Sequence, residues 1–217
     1  MNTLVSFDWL YLVGTVSFSV SGYLIGARKH YDLLGIVILA LLTAIGGGLI
    51  RDALVSRMPA VFTDAGPVAA CLVTLIAAWI LRLERHSQLV LQRTFIIADS
   101  IGLVAFAIAG AQLGIALDIN LFGVCFLGFV TATGGGLVRD MMVNEVPFIL
   151  HRDFYGTVAI LTAALIDGAH VMGANDAITR WGIFCFGLAI RLIAHSHDLS
   201  LPRPQRRPPG PDQDASG

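Results

Sequence analysis

A chain of 217 residues with 56% hydrophobic and 13% charged residues and a mean hydropathy of +0.76 falls well below the roughly 25% charge of an ordinary soluble domain, which excludes a water-soluble globule. The net charge of -1 lacks the strongly basic signature of a nucleic-acid binder, so nucleic acid is not an expected partner. Cys71, Cys125 and Cys185 each lie inside an apolar run without CxxC spacing, so they read as small core residues, and neither a disulfide framework nor a metal site is expected.

A membrane-crossing helix needs about 20 mostly apolar residues. Seven segments qualify, at 8–27, 33–56, 66–83, 94–116, 119–143, 154–173 and 177–195. Breakers separate them, among them Arg28-Lys29-His30, Asp64-Ala65-Gly66-Pro67, Asn144-Glu145-Val146-Pro147 and Gly173-Ala174-Asn175-Asp176. No Lys or Arg precedes Arg28, so the first span does not read as a cleaved leader. The tail 197–217 carries five prolines and six charged residues, too little apolar surface to fold, and is expected to be disordered.

Seven is odd, so the two termini lie on opposite faces. Arg57 and Arg180 fall on the face of the N-terminus, whereas Arg28, Lys29, Arg82, Arg85, Arg93, Arg152, Arg203, Arg206 and Arg207 fall on the other. The positive-inside rule then predicts N-terminus outside and C-terminus in the cytoplasm. Arg51, Arg139 and Arg191 lie within or at the ends of spans.

Sliding the chain against itself by 88 positions pairs Ser17/Ala105 through Phe62/Leu150 without a gap, with 16 of 46 pairs identical. Shared apolar bias would scatter Leu and Val matches. Instead, Gly46-Gly47-Gly48-Leu49 repeats as Gly134-Gly135-Gly136-Leu137, Arg51-Asp52 as Arg139-Asp140, and Pro59 as Pro147. The expected organisation is an all-α integral membrane protein of seven transmembrane helices, with two inverted three-helix repeats at 5–92 and 93–174, a seventh helix at 175–196 and the tail. A unit with an odd number of spans enters the membrane in opposite senses in its two copies, and transport paths in such folds run at the repeat interface.

Three glycines in succession weaken a helix by about 1 kcal/mol each relative to Ala. Gly46, Gly47, Gly48 and Gly134, Gly135, Gly136 permit a kink, an unwound turn with free carbonyls, or close packing alone. Of these, a kink lining a water-filled path is the expectation. Arg51, Asp52, Arg139 and Asp140 follow one turn later, where an intramembrane charge costs roughly 2.5–3.5 kcal/mol and so faces a cavity or a partner. Sequence neighbours point about 100° apart on a helix, so Arg51 is expected to seek a carboxylate on another span, with Asp99 and Asp167 as the candidates. The bland reading is a pair of structural ion pairs or headgroup anchors. Gly22/Gly26 and Gly110/Gly114 form small-xxx-small faces and read as helix packing. His195-x-His197 lacks further ligands and reads as solvated. Enzyme motifs do not stand out, since neither glycine block carries the GK[ST] of a phosphate loop, and no enzymatic activity or cofactor is expected.

The doubled GGGL-x-RD…Pro motif, at 46–59 and 134–147, together with seven spans and a short basic tail, resembles the bacterial TRIC family, the trimeric intracellular cation channels, whose domain is also known as glycine-transporter-type. The resemblance covers about residues 5–195. It implies a homotrimer with one pore per protomer, kinked at the glycines of spans 2 and 5, passing potassium and sodium and contacting lipid. It matches the pore-region motif to Gly46, Gly47, Gly48, Arg51, Asp52 and Gly134, Gly135, Gly136, Arg139, Asp140. The leading expectation is therefore a monovalent-cation channel of the bacterial inner membrane. A carrier for glycine or another small zwitterion, and a non-conducting lipid-binding scaffold, are the alternatives. The cluster Arg82, Arg85, Arg93 is a candidate site for anionic headgroups.

Overall fold

A computed structural model describes residues 9–150, 154–174 and 176–197. The expected tail disorder, and Arg152, Arg203, Arg206 and Arg207 of the charge count, lie outside the described residues. Seven α-helices follow in chain order: α1 (Trp9–Arg28), α2 (Leu33–Leu54), α3 (Gly66–Ile80), α4 (Gln88–Ala116), α5 (Leu121–Met142), α6 (Phe154–Val171) and α7 (Ala177–Ser196), with short 3-10 turns at Ala60–Phe62, Leu83–Arg85 and Phe148–Leu150. No strand occurs among the described residues.

The helix ends repeat with the sequence. Asp32 accepts a hydrogen bond from the Gly35 backbone N–H at the start of α2, and Asn120 accepts one from Gly123 at the start of α5, each satisfying a donor that the first turn leaves orphaned. His30 and Asp118, then Ser56 and Asn144, adopt positive φ of 52–56° at matching exits. Two bounds differ from the sequence reading. α3 stops at Ile80 because Arg82, at φ 50°, turns the chain into a 3-10 segment. α4 begins at Gln88 rather than 94, so Arg93 lies on a helical extension beyond the apolar span.

Among the described residues, six helices are long and apolar enough to cross a membrane. α3 has 15 residues, about 22 Å at 1.5 Å per residue. It nevertheless runs from face to face. Its leading loop is held at the C-terminal end of α2 through Ala60, and the turn after it is held near the C-terminal end of α1, where the Tyr23 hydroxyl donates to Glu84 at 2.6 Å. That bond holds the Glu84 carboxyl below its ordinary pKa. Glu145, after α5, bridges Lys29 at 2.7 Å and Arg28 at 3.2 Å. The hydrogen bond from Lys29, with the charge of Arg28 added, likewise lowers its pKa. The 1/2, 3/4 and 5/6 connections therefore share one face, as alternating spans require.

α1, α2, α4 and α5 form the centre, α3 packs on α1 and α2, α6 on α5 and α4, and α7 on α6 and α4. The interior is small and polar, holding Ser19, Ser21, Thr43, Thr131 and many alanines, while Val73, Trp79, Phe122 and Ile178 face outward, the distribution expected where lipid is the solvent. Gly22 and Gly26 admit Ala40, Thr43 and Ile36 of α2, and Gly110 and Gly114 admit Gly128, Thr131 and Val124 of α5. The two small-residue faces thus pack within the chain.

The repeats meet through reciprocal contacts. Phe18 lies over Gly102 and Phe106 over Gly14, with the two rings edge to face at 5.2 Å. Gly47 lies against the Thr131 carbonyl, and Gly135 against the Thr43 carbonyl. All four pairs interchange under the offset of 88. Such reciprocity is what a two-fold axis imposes. The α2–α5 contacts run antiparallel, Thr43 meeting Gly135 and Gly47 meeting Thr131. The fold is thus two inverted three-helix repeats plus α7.

These contacts distinguish the glycines. A Cβ on Gly47 would collide with backbone that cannot yield, whereas one on Gly46 would stand 3.7 Å from Gly135, in ordinary contact. Gly47→Ala is expected to lower stability by about 1–3 kcal/mol through overpacking, and Gly46→Ala to be neutral or stabilising because Ala favours helix. Thermal unfolding of the detergent-solubilised variants checks the order; equal melting temperatures would contradict it.

Candidate functional site

α2 and α5 run unbroken through Gly46–Gly48 and Gly134–Gly136. The unwound turn with free carbonyls that such triplets permit is absent from both. The physical reason is that a carbonyl freed within the apolar layer finds no replacement partner unless water or protein supplies one, and here the middle glycines bring the two backbones into contact instead. The third glycine of each triplet has a different neighbour. A Cβ on Gly48 would lie 3.4 Å from the Tyr11 hydroxyl and 3.9 Å from Arg51 Nη2, and one on Gly136 would lie 3.2 Å from the Tyr155 hydroxyl and 3.5 Å from Arg139 Nη2. At each end of the α2–α5 contact, a tyrosine hydroxyl and a guanidinium flank a glycine. The tyrosines come from non-equivalent helices, α1 in one repeat and α6 in the other.

The Arg-Asp pairs close on themselves. Arg51 Nε and Nη2 reach Asp52 Oδ1 at 2.9 and 2.8 Å. Asp52 Oδ2 accepts the Ala60 N–H at 2.9 Å. In the second repeat, Arg139 Nε reaches Asp140 Oδ1 at 2.8 Å, and Asp140 Oδ2 accepts the Phe148 N–H at 2.8 Å. The residue accepted is in each case the one after the motif proline, so the spacing from Asp to Pro places the next 3-10 turn over the helix end. This corrects the expectation that Arg51 looks to another span. The side chain lies back along its own helix, and its long stem closes the 100° gap between neighbours.

Arg139 is held from more sides. Its Nη1 donates to Asp99 Oδ1 of α4 at 2.6 Å and to Ser21 of α1, and its Cζ stands 4.9 Å from the centre of the Phe95 ring. It is fully buried. Asp99 interacts electrostatically with Tyr155, and Arg191 of α7 stacks over the Tyr155 ring at 4.9 Å. Asp99 and Asp140 thus balance Arg139 and Arg191. Asp99 Oδ2, Arg139 Nη2 and the Tyr155 hydroxyl are closed from solvent without a hydrogen-bond partner among the described residues.

Asp167 does not join this cluster. It lies twelve residues beyond Tyr155 on α6, about 18 Å along the axis, and its expected pairing with Arg51 gives way to the ion pair of Arg51 with Asp52. Sequence reasoning left Arg191 unassigned, although a charge inside the last apolar span was itself a signal. Tyr11, Tyr155, Phe95 and Ser21 carried no such signal. No group of three or more His, Cys, Asp or Glu placed to hold a metal occurs among the described residues.

The model of the family described as "Glycine transporter" matches residues 8–83 and again 96–170, two stretches whose starts are 88 apart. A UPF0126 membrane protein of Deinococcus radiodurans is 37% identical over 161 residues, covering 73% of this chain and 74% of that protein. A solved structure described as "Structural basis for conductance through TRIC cation channels" superposes with a TM-score of 0.80 at 31% identity, over 94% of this chain and 100% of the other. The TRIC trimeric intracellular cation channel orthologue from Rhodobacter sphaeroides gives 0.80 at 30% identity, over 88% and 97%. The chain belongs to this family, the TRIC or glycine-transporter-domain membrane proteins.

The unequal partners of the two arginines order two substitutions. Asp52→Asn removes the one carboxylate that Arg51 contacts among the described residues, and an uncompensated buried charge costs about 3–5 kcal/mol. Asp140→Asn leaves Arg139 with Asp99 and should cost less. Chemical unfolding in detergent reads the difference, and a larger loss for Asp140→Asn would refute the assignment.

Proposed function

We propose that this chain is a monovalent-cation channel of the bacterial inner membrane, passing potassium and sodium through one path in each protomer of a homotrimer. The observation that carries the reading is the likeness, over nearly the whole chain, to a structure described in terms of conductance through TRIC cation channels. The geometry adds a physical ground: at the α2–α5 interface, buried charge flanks both ends of a helix contact between the repeats. The path runs along that interface, from the Arg51-Asp52 end to the Arg139-Asp140 end. Because the two helices stay wound and touch at Gly47 and Gly135, the glycines act as a contact that α2 and α5 can slide or bend on to admit water.

The trimer is supported by the name of the Rhodobacter sphaeroides orthologue. Orientation with the N-terminus outside rests on the charge count. Arg82, Arg85 and Arg93, all exposed on the cytoplasmic side in that orientation, offer donors to anionic lipid headgroups, worth on the order of 1 kcal/mol per basic residue. No resident cofactor is part of the reading. Each three-helix repeat, 5–92 and 93–174, is one half of the path.

Purified protein in liposomes is expected to pass potassium under an imposed voltage, with current proportional to the driving force and no saturable uptake of labelled glycine. Saturable glycine uptake without potassium current would replace the channel with the carrier that the family's other name suggests, and neither flux would leave the scaffold. A cysteine placed at Arg85 should react with an impermeant thiol reagent from the cytoplasmic side; labelling from outside would invert the topology.

A further inference from the structure

The 3-10 turn that follows each Arg-Asp pair meets solvent differently in the two repeats. The offset of 88 puts Phe148 where the first repeat has Ala60. The Phe148 ring lies edge to face with Phe95 at 6.0 Å and with Tyr155 at 6.2 Å, beside a tyrosine that is itself enclosed. Ala60 offers only a methyl group, and Tyr11, at the Arg51 end, is half-buried. Aromatic rings cover one end and leave the other within reach of water.

The same alanine places a charge at the open end. Its N–H is held by Asp52 Oδ2 at 2.9 Å, and its carbonyl accepts the backbone N–H of Asp64 at 2.8 Å. Asp64 is thus fastened, through one residue, to the carboxylate at the end of α2. Its side chain is fixed in turn, because Oδ1 accepts the Gly66 N–H at 2.8 Å and closes the turn into α3. Asp64 is exposed and takes part in no ion pair among the described residues. The Tyr11 hydroxyl lies in the fields of Arg51, Asp52 and Asp64 together. Arg51 and Asp52 offset one another at 2.8 Å, which leaves the field of Asp64 as the excess. Arg57, the basic residue of the same loop, is not among the charges acting on that hydroxyl.

We propose that Asp64 is the cation-recruiting charge of the path: a fixed, hydrated carboxylate at the Arg51 end that concentrates cations at that mouth and repels anions, acting through its field and not as a ligand. The proposal rests on the channel reading. The buried charges cannot supply this selection, since Arg51 with Asp52, and Arg139 and Arg191 with Asp99 and Asp140, sum to zero. A hydrated carboxylate needs no stripping of the ion's water shell, and low-dielectric walls focus its field into the opening. Its reach is the screening length, about 10 Å at 0.1 M salt and about 3 Å at 1 M.

That dependence on salt separates a recruiting charge from a structural one. Asp64→Asn removes the charge while keeping an oxygen for the Gly66 N–H. In planar bilayers holding the full chain, it is expected to lower unitary potassium conductance about 1.5- to 2-fold at roughly 0.1 M KCl and to leave it unchanged at roughly 1 M. The loss should be larger for one direction of current, because the charge stands at one mouth, and the reversal potential in a KCl gradient should shift toward that of chloride. Asp64→Ser, whose hydroxyl can also accept the turn's N–H, should match Asp64→Asn and covers the case in which the latter does not fold. Asp64→Glu, which keeps the charge, should stay near the parent. A conducting parent whose conductance at the lower salt is matched by both neutral variants overturns the proposal. So does a loss of equal size at both salt concentrations, which makes Asp64 a support of the turn and nothing more. A parent that passes no potassium defeats the channel reading instead.

Discussion

The contact on which the structure depends is the one between two glycine backbones and two threonine carbonyls, Gly47 against Thr131 and Gly135 against Thr43. In lipid, helices gain nothing from hiding apolar side chains from one another, so their association rests on close packing and on the few hydrogen bonds that cross between them. Glycine supplies the close packing here. Because each contact is the image of the other under the offset of 88, one sequence feature inherited twice provides both halves of the interface, and the repeats can meet only in opposite sense. The position of α1 against α4 follows from the same symmetry, through Phe18 over Gly102 and Phe106 over Gly14.

The buried charges are placed by that interface, not against it. Asp52 and Asp140 each spend one carboxylate oxygen on the neighbouring arginine and the other on a backbone N–H of the following turn. Each carboxylate is therefore satisfied on both oxygens at the end of its helix, where the chain must also reverse. A buried ion pair is weak evidence for stability in itself, because desolvation offsets much of its attraction. What these pairs supply is geometry: they fix where the chain leaves α2 and α5, and so the direction in which α3 and α6 return.

Much of this was legible in the residues. Composition and span length gave the seven helices, and the doubled motif gave the inversion, because identity at Gly-Gly-Gly-Leu, Arg-Asp and Pro survives where general hydrophobicity would have blurred it. The packing role of Gly22, Gly26, Gly110 and Gly114 was legible for the same reason. The partners of the arginines were not. That Arg51 folds back onto Asp52 depends on a rotamer, and that Arg139 finds Asp99 depends on the register of α5 against α4. Neither is written in spacing along one helix. Likewise, a glycine triplet reads identically whether it bends, unwinds or packs; only the neighbour facing it decides, and for the middle glycines that neighbour lies 84 and 92 residues away.

The three glycines of each triplet consequently divide their work. The second is required for contact between the repeats and the third leaves room for a tyrosine hydroxyl and a guanidinium to stand over the helix, whereas the first differs between the halves: Gly46 tolerates a side chain, and a Cβ on Gly134 would stand 3.0 Å from the Gly47 Cα. Tyrosine reaches that third position from α1 in one half and from α6 in the other, so the two ends of the interface are chemically alike although the helices that build them are not equivalent. A duplicated unit that had kept strict symmetry would hold both ends with equal strength. Divergence at the residues around the arginines, Tyr11 against Asp99 and Pro67 against Tyr155, gave the ends unequal partners while leaving the glycine contact intact. The fold thereby separates what must stay symmetric to hold two inverted halves together from what can vary to make one end differ from the other.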